Sequence, residues 1–215
     1  MIRSRGGMIK ALKVYGGHKP NWIYFILLLA LCLYLGFDNT WQSHLWMVLV
    51  VFALTPLLEY FTHRYILHLP LPQDPEKYPL WNEIVHRIHY YHHEDPKAIA
   101  HIFAPWWFTL PLFVLYSGGL WWFSKNPVLT AVSSVSLIVY FLIYEWTHYM
   151  AHCDFYAPRN RYSRYLKKFH SWHHYKSEEY WYGITSPLAD FLFKKAPSPH
   201  EVEATPLALK NRGRL

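Results

Sequence analysis

The chain has 215 residues, of which 53% are hydrophobic, 20% aromatic and only 16% charged, with a net charge of +7 before any histidine is counted. That charged fraction is well below the roughly 25% of an ordinary soluble domain, and two cysteines, Cys32 and Cys153, are too few for a disulfide framework and read as unpaired thiols. Mean hydropathy near zero averages apolar spans with long polar stretches, so it excludes neither a soluble nor a membrane protein.

In chain order, a basic start carrying Arg3, Arg5, Lys10, Lys13 and Lys19 leads into an apolar run at residues 22–37. No small-x-small cleavage site follows, so the segment is expected as a retained anchor and not a signal peptide. Further apolar runs follow at 45–61, 102–123 and 128–146. A helix needs about 20 residues, with about 17 at the low end, to cross the hydrocarbon core; the first run is short and needs help from its flanks or a neighbour. Lys125 and Glu145 are the only charges between Ile102 and Trp146, which leaves no polar face for a soluble helix. Of 21 Lys and Arg, only Lys125 falls in the two expected outer segments, 38–44 and 124–127. The positive-inside rule then puts both termini in the cytoplasm, with the membrane either endoplasmic reticulum or bacterial inner membrane. Because the basic residues flank spans, nucleic-acid binding is not expected. Residues 194–215, with three prolines and five basic residues, are expected as loop or disorder. The chain reads as a single domain, 1–215.

Ten of the 15 histidines fall in four clusters. His63 and His68 follow the second run; His89, His92 and His93 form His-x2-His-His; His148 and His152 follow the fourth run; His170, His173 and His174 repeat His-x2-His-His. Residues at i, i+3 and i+4 share a helix face, so three clusters present their imidazoles on one side. His63 and His68, at i and i+5, do not, and need a local irregularity. Neutral imidazole is the commonest metal ligand and suits iron, zinc, copper and nickel. Ten exceed the four of zinc or the six of iron, so two ions are expected. His18, His44, His200, His86 and His101 are expected outside the site.

These boxes resemble the fatty acid hydroxylase and sterol desaturase superfamily, and within it the fatty acid 2-hydroxylases. The resemblance covers about residues 55–197 and rests on LLEYFTHRYILHL, EWTHYMAH, KKFHSWHH and the following YGITSPLADFLF, with Gly183, Ile184 and Asp190. It implies an all-α membrane protein: four transmembrane helices capped by a cytoplasmic helical layer that holds a dimetal site, formally diiron although zinc can occupy it. It implies hydroxylation at carbon 2 of a long acyl chain, free or in a sphingolipid, with O2 and two external electrons. Three departures stand out. No fused cytochrome b5 domain is seen in residues 1–21, so the donor is expected to be separate, such as cytochrome b5 or a ferredoxin with its reductase. Glu145 stands where the family tends to have Asp, and HEDPKAIAHIFAPWW replaces a basic, apolar run that ends in a proline pair.

Hydroxylating an unactivated C–H bond needs redox metal and O2, with the protein supplying geometry and a dry cavity. Ligands at the interface put carbon 2, close to the lipid headgroup, within reach. Glu59, Glu145, Asp154 and Asp190 lie near the boxes and are candidates to hold imidazole N–H groups; for Glu59 and Glu145, a carboxylate ending an apolar helix is costly unless paired. The alternatives are a sterol- or carotenoid-type oxidase or desaturase of the same superfamily, and a non-catalytic zinc-binding membrane protein.

Overall fold

The structure is a computed structural model that describes residues 2–158 and 160–213. For Arg3 and Arg5 of the basic start it describes the backbone alone, and Arg159, Arg214 and Leu215 lie outside the described residues. Among the described residues the fold is all-α, as expected, with eleven α-helices: α1 (Ile2–Gly17), α2 (Lys19–Gly36), α3 (Trp46–Thr62), α4 (Pro79–Val85), α5 (Tyr91–Glu94), α6 (Ile99–Ile102), α7 (Trp106–Ser124), α8 (Pro127–His152), α9 (Arg161–Tyr175), α10 (Leu188–Leu192) and α11 (Pro206–Arg212). The chain divides into two compact units, one of Met1–Ala11, Pro56–Ala104 and Thr147–Leu215, the other of Leu12–Thr55 and Pro105–Trp146.

The second unit is built from long apolar helices. Four stretches, Lys19–Gly36, Trp41–Leu67, Ile99–Ser124 and Pro127–His152, are long and apolar enough to cross a membrane. Their most apolar windows are only 11–39% buried, and large apolar side chains such as Ile26, Leu29, Leu49, Leu54, Val114 and Leu115 stand exposed, an arrangement suited to lipid and not to water. The chain is an integral membrane protein. Within this unit Leu35, Met47, Val51, Val128, Ala131 and Val132 form an apolar cluster. Polar pairs join the helices: Ser117 to Ser134 at 2.8 Å, Tyr116 to Ser133, and Tyr24 to Thr109. Such pairs substitute for hydrophobic drive between helices in lipid. α7 ends at Lys125, whose left-handed φ of 50° lets its N–H bond the Trp121 carbonyl at 2.8 Å. Asn126 then caps α8, accepting the Leu129 N–H at 2.9 Å, with Pro127 at the first helical position.

The first unit carries the histidines. α9 starts on Asn160, whose side chain accepts the Ser163 N–H at 2.7 Å. It buries Leu166, Phe169, His170, His173 and His174, a single stripe at helical spacing. Lys167 extends from α9 to the end of α8, donating to the Cys153 carbonyl at 2.6 Å and the Tyr156 carbonyl at 3.2 Å; a cation is favoured at a helix C-terminus. Residues 194–215 correct an expectation of loop or disorder, because they contain α11. Thr205 caps it, and also donates to Glu178 at 2.5 Å. Arg212 donates to the Tyr175 carbonyl at 2.6 Å, and Ala208 and Asn211 are buried. The helix survives in a proline-rich tail because Pro206 stands at its start, where the missing N–H costs nothing.

Candidate metal centre

The ten clustered histidines come together as two groups of five, all in the first unit. His63, His68, His89, His93 and His173 form group A; His92, His148, His152, His170 and His174 form group B. Within each group the five ligand atoms lie within 4.8 Å of one another. The i and i+4 members of each cluster share a group: His89 with His93, His148 with His152, and His170 with His174. The i+3 members, His92 and His173, cross to the other group. Each His-x2-His-His box therefore serves both groups from one helix face, a division finer than the spacing alone implies. The irregularity needed by His63 and His68 is a π-helical turn over His63–Leu67, closed by the His68 N–H on the His63 carbonyl at 3.2 Å. One added residue per turn brings i and i+5 onto one face. A second π turn, His86–Tyr90, sets His89.

The spacing of the Nε2 atoms is that of ligands on one ion. Two nitrogens at about 2.0–2.1 Å from an ion and 90–109° apart lie roughly 2.9–3.4 Å from each other. In group A, His63–His89 is 3.0 Å, His89–His93 2.9 Å, His68–His173 3.2 Å and His93–His173 3.2 Å. In group B, His92–His148 is 3.0 Å, His152–His170 2.8 Å and His170–His174 3.0 Å. Burial, and after it repulsion from neighbouring imidazoles, holds His68, His89, His92, His93, His170, His173 and His174 well below the usual histidine range. The rings are neutral at pH 7, the form a metal requires. Both groups are compatible with metal binding.

A strap over residues 180–185 orients part of group A. The Nδ1 of His63 donates to the Tyr182 carbonyl at 2.6 Å, and that of His173 to the Tyr180 carbonyl at 2.7 Å. A carbonyl only accepts, so each ring carries its proton on Nδ1 and turns the Nε2 lone pair inward. Carboxylates hold the strap's amides in turn. Asp190 accepts the N–H of Tyr182 at 2.7 Å and of Gly183 at 2.8 Å. Glu59 accepts the N–H of Ile184 at 2.5 Å and of Thr185 at 2.9 Å, and the Thr185 hydroxyl at 2.5 Å. This corrects the expectation that Glu59 and Asp190 hold imidazole N–H groups directly: they grip backbone, and the backbone carbonyls grip the rings. Burial pushes Asp190 up to about 6 against those same hydrogen bonds. Trp181, with a left-handed φ of 60°, is pinned by its N–H on the Lys195 carbonyl at 2.9 Å and its indole on the Pro197 carbonyl at 3.2 Å.

Asp154 is exposed and pairs with Lys97 at 3.0 Å. Glu145 is buried in the second unit and, after burial itself, pushes the Tyr15 phenol up. His86 contacts the Asn82 carbonyl at 2.8 Å, His101 packs against Tyr91, and His44 bonds Asn126 at 3.3 Å. Reading the sequence missed Asn211, whose amide donates to the His93 carbonyl at 2.7 Å and the His174 carbonyl at 3.5 Å. No spacing marks a lone Asn in a basic tail.

Residues 48–195 match the family model described as fatty acid hydroxylase. The chain belongs to the fatty acid hydroxylase family. Among curated members, the dihydroceramide fatty acyl 2-hydroxylase FAH2 of Arabidopsis thaliana is 27% identical over 152 residues, covering 66% of this chain and 56% of that protein. The ceramide very long chain fatty acid hydroxylase scs7 of Schizosaccharomyces pombe is 27% identical over 190 residues, covering 81% of this chain and 50% of that one. This family member thus spans about half the length of those relatives. A solved structure of full-length scs7p, in which only the hydroxylase domain is visible, matches at TM-score 0.72 and 19% identity, over 91% of this chain and 69% of that one. That likeness shows a shared fold.

Proposed function

We propose that the chain is a membrane-bound dimetal monooxygenase that hydroxylates carbon 2 of long acyl chains, free or within a sphingolipid. The observation that carries this is the sorting of ten histidines into two five-imidazole groups with ion-like spacing. The names of the curated relatives, dihydroceramide fatty acyl 2-hydroxylase and ceramide very long chain fatty acid hydroxylase, support the substrate class. His63, His68, His89, His93 and His173 would hold one ion, and His92, His148, His152, His170 and His174 the other. Iron is expected for activity, and zinc fits the same imidazoles. When bound, the metals supply reactivity toward O2 that no side chain has.

The reaction consumes one O2, two electrons and two protons per C–H bond, and yields the alcohol and water. The electrons come from an external donor such as cytochrome b5 or a ferredoxin with its reductase. The chain's own residues keep the imidazoles neutral by burial, fix the tautomers of His63 and His173 through Tyr182 and Tyr180, and hold that strap through Asp190 and Glu59. Glu59 is therefore assigned a positioning role. The basic segments and both termini lie in the cytoplasm, with the histidine groups at that interface, where the polar end of the lipid places carbon 2 within reach.

Expression in a host that makes no 2-hydroxy acids tests this, with wild type beside His170→Ala. Mass spectrometry of hydrolysed lipids is expected to show 2-hydroxy acyl chains with the wild type alone. Their equal appearance with the variant would remove group B from the reaction; hydroxylated sterols or carotenoids in their place would make the substrate another lipid.

A further inference from the structure

Resting on that two-ion assignment, we propose that the two metal positions are unequal: group A is the tight, slowly exchanging one and group B the weak, fast one, with Asp190 a positioning residue that sets the difference through the strap. In the described structure the Nε2 atoms lie 2.8–3.2 Å apart. Without an ion, neutral rings at that spacing share protons as N–H···N bonds. Binding an ion at Nε2 forces each proton onto Nδ1, so affinity depends on what meets Nδ1.

The groups differ at that atom. In group A the Nδ1 of His63 and of His173 each finds a carbonyl, at 2.6 and 2.7 Å. In group B the Nδ1 atoms of His92, His170 and His174 are buried with no protein acceptor, while His148 bonds the backbone of Ile102. Filling group B thus turns three buried N–H donors toward no protein acceptor, a cost that His63 and His173 do not meet in group A. An acceptor on the far ring nitrogen also makes an imidazole a better donor to metal.

Access differs in the same direction. A cavity of about 860 Å³ is lined by His152 and His170, together with Lys167, Trp172 and Arg212 among others; no group A histidine lines it. Ions and chelators reach group B through it, whereas the strap lies against His63 and His173. Thermodynamics and access both make the group B ion the first to leave.

The full chain in detergent, stripped of metal at neutral pH, is titrated with Zn2+ against a competing chelator, and release into excess chelator is then timed. Two equivalents are expected, the first at least about tenfold tighter, with biphasic release; contacts of this outer kind are worth about 10–100-fold in affinity. His174→Ala keeps only the tight, slow equivalent, and His63→Ala only the weak, fast one. Asp190→Asn weakens the first step about 10–100-fold and leaves the second unchanged. Two equivalents of equal affinity, or loss of the tight step in His174→Ala, would overturn the inequality while leaving the two-ion assignment intact. Equal weakening of both steps by Asp190→Asn would make Asp190 merely structural and overturn its positioning role. If that variant does not fold, the two histidine variants decide the matter. No bound Zn2+ at all overturns the two-ion assignment and the inequality together.

Discussion

Gly183→Ala is expected to abolish hydroxylation and to empty group A. A Cβ at position 183 would lie 2.8 Å from Oδ2 of Asp190 and closer still to the Ser186 carbonyl oxygen. Neither neighbour can yield easily. Asp190 is fully buried and already holds the Tyr182 and Gly183 amides, and the Ser186 oxygen is backbone. Overpacking of this kind costs about 1–3 kcal/mol, occasionally more. The local consequence is larger than that figure, because displacing the strap moves the Tyr182 carbonyl off His63 and the Tyr180 carbonyl off His173. A misplacement of 1 Å in a catalytic constellation is enough to lose about a hundredfold in rate. Elemental analysis of the purified variant beside an activity assay checks this: one ion per chain and no product are expected. Wild-type metal content with wild-type turnover would show that the strap does not position the ligands.

Asn211→Ala carries the second large effect, from a residue outside all four histidine boxes. The Asn211 amide is buried and donates to the carbonyls of His93 and His174, one from each group. Its removal leaves buried acceptors unmet, at about 1–3 kcal/mol, and loosens α11 from the chain around both boxes. A chain of this size loses about 2–4 °C of melting temperature per kcal/mol. The variant is therefore expected to melt roughly 2–12 °C lower with metal bound, and to hold less metal at a given free concentration. Asn211→Asp, close in shape but lacking the donor, separates the hydrogen bonds from packing and is expected to be as damaging. An unchanged melting temperature in both variants would return the tail to the unimportant loop its composition suggests.

Much of the site was legible before the structure because helical spacing is rigid. His148 with His152 and His170 with His174 share a group for the reason i and i+4 share a face. The division of each His-x2-His-His box between two groups was not legible, since it depends on tertiary packing that spacing along one helix does not state. His63 and His68 signalled an irregularity through their i, i+5 spacing, and the π turn answers it. Glu59 and Asp190 were legible as candidate residues, but their amide partners were not. Glu59 and Asp190 stand close to the boxes in sequence, but a backbone strap from residues 180–185 intervenes in space. Its sequence was visible as the specific run after the last box, although nothing in that run states that main-chain carbonyls are its working groups. α11 was hidden because three prolines and five basic residues read as loop, whereas Pro206 at a capped start is compatible with a helix. The apolar helices were the easiest elements to find, since lipid demands long uninterrupted runs. α3 and α8 run past the apolar letters to Thr62 and His152, because polar residues continue the same hydrogen-bonded ladder, whereas α7 begins only at Trp106, after Pro105.

Isotopically heavy O2 supplied to the host expressing the wild type tests the central claim most directly. Fragmentation of the hydrolysed acyl chains locates the added oxygen and reports its source. The account predicts one heavy oxygen atom, at carbon 2, in chains from cells expressing the wild type and none in cells expressing His170→Ala. Oxygen derived from water, oxygen at another carbon, or a new double bond in place of a hydroxyl group would contradict it.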